Sequence, residues 1–116
     1  MILLAIFWSL TLQAPCEGTT ITAAEAKALV LEVPNARRSI SERGARLDAE
    51  IEQSIPHGWL FRVHATNSKS PSSLIGYYTV DERTAAITDY SLDGAPVVSK
   101  HLRIEQARLL RKHCGN

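Results

Sequence analysis

Apolar positions follow one rhythm in the first half of the chain and another in the second. Thr22-Ala23-Ala24-Glu25 is a capping box, in which a hydroxyl caps the first turn and a carboxylate three residues on reaches back. It predicts a helix over 23–33, rich in good helix formers. Pro34 stops or kinks that helix, because it disfavours helical geometry at Val33. Ser39-Ile40-Ser41-Glu42 can restart it with the same device. Ala36, Ile40, Gly44, Leu47, Ile51 and Ile55 recur at steps of 4, 4, 3, 4 and 4, one stripe of an amphipathic helix. Arg43, Arg46, Glu50 and Glu52 fall on its other faces, and Pro56-His57-Gly58 ends it.

At Trp59 the period becomes two. Trp59, Phe61, Val63 and Ala65 point one way; Arg62, His64 and Thr66 point the other. A Ser-rich loop over 67–73 leads to a second strand over 74–80. Asp81-Glu82-Arg83-Thr84 is a turn, and a third strand over 85–90 runs antiparallel to the second. The turn over 92–96 can add a short edge. Ser99 caps a last helix reaching Lys112, with Leu102, Ile104, Leu109 and Leu110 as its apolar contacts and Gly115 as its stop. The fold class is therefore α+β: N-terminal helices packed on a three- to four-stranded antiparallel sheet, closed by a C-terminal helix. Trp59, Phe61 and Val63 are expected to pack against Ile40, Leu47 and Ile51.

Residues 1–18 stand apart. Met1 to Leu12 is an almost uncharged apolar run, followed by the small and polar residues Gln13-Ala14-Pro15-Cys16-Glu17-Gly18. That is the shape of a secretory signal peptide. The run is about 11 residues, short of the roughly 20 that cross a bilayer, so no stable membrane span is expected after its removal. The remainder, 19–116, is one domain. A lipid anchor on Cys16 would want a small residue just before it, where Pro15 stands. The chain has two cysteines, Cys16 and Cys114. In an exported protein an even count suggests a disulfide, and closing so long a loop is worth about 4 kcal/mol in the chain-entropy model. The bond requires that cleavage leave Cys16 in place.

Net charge is +1, which gives no electrostatic case for nucleic acid. Local charge is less even. Lys100, Arg103, Arg108, Arg111 and Lys112 face Glu105 alone in the last helix, while Asp81, Glu82, Asp89 and Asp93 precede it, offset by Arg83.

No catalytic constellation emerges, and no metal or cofactor is expected. None of His57, His64, His101 and His113 pairs at helical spacing around a glutamate, and the cysteines lack ligand spacing. His64 lies on the strand face away from the core, where a solvent-facing histidine is the simpler reading. The helix dipole accounts for His113, and Cys114 beside it would point away on a helix. There is no Gly-x-Ser-x-Gly elbow and no glycine-rich phosphate loop. Asp81 and Asp89 could form a carboxylate pair, but turn chemistry explains Asp81.

The hairpin Gly76-Tyr77-Tyr78-Thr79-Val80-Asp81-Glu82-Arg83-Thr84-Ala85-Ala86-Ile87 resembles the tyrosine-valine-aspartate, two-residue, threonine-glycine turn of PepSY and related cystatin-like domains. In those a helix packs on a small antiparallel sheet. With the polar loop and amphipathic helix that follow, residues 59–114 are also similar to small exported immunity proteins, which bacteria use to block peptidoglycan-degrading toxins. The pattern departs at Ala85, where the family usually has glycine to accept positive φ.

The resemblance implies an exported, non-enzymatic inhibitor, periplasmic or secreted, that occludes a cell-wall-degrading toxin or hydrolase. A PepSY-like module that restrains a protease or senses the envelope is a second reading, and a small exported hydrolase a third. For a binder, the exposed candidates are the 67–71 loop, the 81–84 turn and the 89–96 loop, and aromatic residues supply anchors. The expected partner-binding residues are Tyr78, Asp81, Glu82, Arg83, Asp89, Tyr90 and Asp93. By alternation, one of Tyr77 and Tyr78 faces away from the core.

Overall fold

The computed structural model describes residues 19–67 and 70–114. The expected signal peptide, Cys16, Lys69 and the Gly115 stop lie outside them. The fold is α+β. Helix α1 (Ala23–Val30) begins with the expected capping box: Thr22 Oγ1 accepts the Glu25 N–H at 3.1 Å, and the Glu25 carboxylate accepts the Thr22 N–H at 2.8 Å. It ends three residues earlier than the sequence suggests. Pro34 opens a new helix instead of breaking the old one. It stands in the first turn of α2 (Pro34–Arg43), where a missing N–H costs nothing and a fixed φ helps.

The long amphipathic helix expected up to residue 55 does not form. Gly44 closes α2 in the left-handed region at φ 60, its N–H donating to Ile40 and Ser39 carbonyls, a cap that glycine adopts without a Cβ penalty. The chain then turns into strand β1 (Arg46–Ile55). The physical reason lies in the sequence Leu47-Asp48-Ala49-Glu50-Ile51. Its apolar residues satisfy a period of two as well as a step of four, and pairing with the next strand decides between them. β1 runs antiparallel to β2 (Gly58–Asn67), with Asp48 opposite His64, Ala49 opposite Val63 and Glu50 opposite Arg62. The turn between them puts His57 at φ 63. Gly58 is required beside it, because a Cβ there would lie 2.0 Å from the Val80 carbonyl oxygen.

The Ser-rich loop is also shorter than expected. β3 (Ser70–Asp81) pairs with β2 as far out as Asn67 opposite Ser70. The hairpin turn then leads to β4 (Ile87–Asp89), a 3₁₀ turn over Tyr90–Leu92, and a two-residue edge, β5 (Ala95–Pro96). The sheet has five strands in the order β1-β2-β3-β4-β5, against three or four expected. Helix α3 (Lys100–His113) closes the chain, capped by the Ser99 hydroxyl, which accepts the Leu102 N–H.

The helices bury one face of this sheet. Phe61, Val63, Val80, Val30, Val33, Ala36 and Leu102 have no exposed surface, and Ala26, Leu29, Tyr78 and Ile87 join them. Trp59 and Leu47 pack against this cluster from its edge. Of the expected partners, Ile51 stands directly opposite Phe61 on β1 but is 49% exposed, and Ile40 is 43% exposed. They belonged to a helical stripe that ends at Gly44, so the cover over Phe61 comes from α1 and the start of α2. Alternation leaves Asp48, Glu50, Arg62, His64 and Tyr77 on the opposite, open face.

The first described helix and the turn after it are tied to α3 by charge. Glu25 receives Lys112 Nζ at 2.7 Å and His113 Nε2 at 2.6 Å, and Glu32 pairs with His101. The first link joins α1 to α3, and the second joins α3 to the turn that follows α1. Burial pushes the Glu25 carboxyl up, but Lys112, the Thr22 N–H and His113 outweigh it and lower it from 4.5 to about 2.

Two outcomes follow. Phe61→Ala is expected to cost about 3–5 kcal/mol and Ile51→Ala less than about 1 kcal/mol, read by urea denaturation. For Glu25 the folded pKa lies below the unfolded one, so its contribution is present above pH 4.5 and is lost as pH falls towards 2. Discounted for solvent screening, it is about 1–2 kcal/mol. Glu25→Gln should lower stability at pH 6 by that amount and flatten its acid dependence between those limits; unchanged acid unfolding would contradict the tie.

Candidate functional site

The β3–β4 turn is built around Asp81. Its Oδ1 accepts the N–H groups of Arg83 at 2.8 Å and Thr84 at 3.0 Å, and the Arg83 guanidinium reaches Oδ2 at 3.5 Å. Burial pushes the Asp81 carboxyl up, yet these donors win and hold it below the usual carboxylate range. The Ala85 N–H returns to the Asp81 carbonyl at 2.8 Å, with Ala85 at φ 62. The positive φ that the family pattern gives to glycine is thus adopted by alanine. Gln106 of α3 helps to hold it, its amide donating to the Ala85 carbonyl at 2.8 Å. The turn is anchored further by Glu82, whose backbone accepts the Ile21 N–H and donates to the His57 carbonyl, each at 2.8 Å.

The expected partner-binding residues therefore divide. Tyr78 is corrected: it is 2% exposed and belongs to the core, packed beneath the helices, where burial pushes its hydroxyl above the usual phenol range. Tyr77 is the tyrosine on the other face. Asp81 spends its oxygens on its own turn. Glu82 is half-buried and Arg83 exposed. Asp89 lies opposite Tyr78 at the far end of β4 and caps the 3₁₀ turn by accepting the Ser91 N–H at 3.0 Å. Asp93 follows in the left-handed region at φ 55. The acidic residues do not form one cluster, since the length of β4, about 10 Å of strand, separates Asp81 and Glu82 from Asp89 and Asp93.

Tyr90 was expected at a contact surface; what the sequence reading missed is its aliphatic neighbours Leu92 and Val98. Tyr90, Leu92 and Val98 are 61%, 64% and 55% exposed. Leu92 and Val98 line a cleft of about 240 Å³ whose walls also include Val33, Pro34, Asp89 and Val97. Exposed aromatic and aliphatic side chains near a cleft that holds the Asp89 carboxylate have the composition of a protein-binding patch. The signal was present in Tyr90-Ser91-Leu92, an apolar pair one residue apart inside a polar loop. A short 3₁₀ turn cannot bury both.

No family model matches the chain, and no curated protein matches it. Among solved structures, a chain in the structure of a type VI secretion system effector-immunity complex from Pseudomonas protegens is similar. It has a TM-score of 0.57 and 15% identity, covering 84% of this chain and 80% of that one. At that identity the likeness is one of fold.

The turn and the patch should separate by mutation. Asp81→Ala leaves two backbone N–H groups without their acceptor and is expected to cost about 1–2 kcal/mol. Asp93→Asn keeps a residue that tolerates positive φ and is expected to shift stability by less than about 0.5 kcal/mol. Thermal melts of the two variants check the contrast.

Proposed function

We propose that this chain is an exported, non-enzymatic immunity-type protein that binds a cell-wall-degrading toxin or hydrolase and occludes its active site. The observation that carries the reading is the likeness in fold to a chain of an effector-immunity complex, spread over 84% of this chain. The apolar patch of Tyr90, Leu92 and Val98 supports it as a contact surface. Glu82, Asp89 and Asp93 are the charges available to steer a basic partner towards it, acting on association rate more than on affinity.

Export rests on the apolar run of residues 1–12 with small residues after it, and the mature chain begins between Pro15 and Thr19. Cys16 and Cys114 pair when cleavage keeps Cys16. Thr19 and Thr20 line the same small cleft as Cys114, which supports that pairing.

Co-expression in the envelope with an exported toxin encoded beside the gene should restore growth and give a stoichiometric complex. Leu92→Asp and Tyr90→Ala should each weaken that complex by about 2 kcal/mol or more with melting temperature retained. Reversal of Glu82 and Asp93 to lysine should slow association at low salt. Neither rescue nor complex with any such toxin, or an intact Met1 on cytoplasmic protein from the native host, would refute the reading.

A further inference from the structure

The open face of the sheet carries a cluster that the partner surface does not use. Asp48 and Glu50 stand two residues apart on β1 and so share a face, and His64 lies directly opposite Asp48 on β2. One ligand atom from each of the three lies within 4.8 Å of the others, and His64 Nε2 is 3.2 Å from Glu50 Oε1. Around a tetrahedral ion with bonds near 2.1 Å, donor atoms are about 3.4 Å apart. The imidazole is held against the sheet, with 17% of its side chain exposed, so little order remains to be imposed on it.

The geometry points to a divalent transition-metal site formed by Asp48, Glu50 and His64, with zinc as the representative ion. Two carboxylate oxygens and one imidazole nitrogen suit zinc. An all-oxygen set would suit magnesium or calcium. Three protein ligands leave a fourth position to solvent. Arg62 contacts Glu50 Oε1 at 3.3 Å and Lys27 contacts Asp48 Oδ1 at 3.3 Å. Each carboxylate has a second oxygen, so both cations can remain as outer partners that orient the ligands. A bound ion would clip the edge strand β1 to β2 and stabilise the fold by mass action. The inference is independent of the proposed toxin partner.

Calorimetric titration of the full exported chain, without a histidine tag, with zinc chloride tests it. One zinc per chain is expected. Asp48→Asn, Glu50→Gln and His64→Ala should each weaken binding at least about tenfold, and His101→Ala, at an imidazole–carboxylate pair elsewhere, should leave it within about twofold. Metal-free melting temperatures establish that each variant is folded, with His64→Gln replacing His64→Ala if the latter falls. No binding up to about 100 µM zinc, or binding indifferent to His64 or lost with His101, would overturn the site.

Discussion

Burial of a single sheet face under three helices is the constraint on which the rest of this molecule depends. Phe61 and Val63 of β2 and Val80 of β3 lie at its centre, wholly covered by Leu29, Val30, Val33 and Ala36. A domain of this size has one core and little surplus stability. Every connection is therefore shaped to keep that contact. Pro34 starts α2 over the sheet, Gly44 ends it, and Gly58 lets the first hairpin approach Val80.

One-sided burial also distributes chemistry. The covered face takes Tyr78, Ala49 and Ile87, and the open face is left to Asp48, Glu50, Arg62, His64 and Tyr77. At the short-strand end of the sheet the start of α2 walls one side of a cleft, and the 3₁₀ turn lies on the other. The 3₁₀ turn holds Tyr90 and Leu92 in solvent, and Val98 follows. Exposed apolar surface thus gathers beside the short strands.

Charge then fastens what packing positions. Glu25 is shared by its capping box, Lys112 and His113, so one carboxylate terminates α1 and moors α3. Asp81 does the equivalent for the β3–β4 turn. Both carboxylates are held low by donors that belong to the folded state alone, which couples local geometry to global stability.

The elements legible in the sequence were those with local signals. The Thr22 capping box, the alternation from Trp59 to Ala65, the Asp81 turn and the Ser99 cap all stand where hydrogen-bonding side chains or a period of two placed them, and the α+β class followed. Residues 45–55 were not legible. Leu47, Ala49, Ile51 and Ile55 fit a helix and a strand alike, and only pairing with β2 settles the choice. That one ambiguity concealed the first strand and set Ile40 over Phe61. It also kept Asp48 and Glu50 apart from His64, because on a helix two residues in succession but one do not share a face, whereas on a strand they do. Tyr77 and Tyr78 were equivalent by alternation until the helices chose a side. Tertiary structure decided these points because strand pairing and face selection are set by residues distant in the chain, whose contacts leave no local trace.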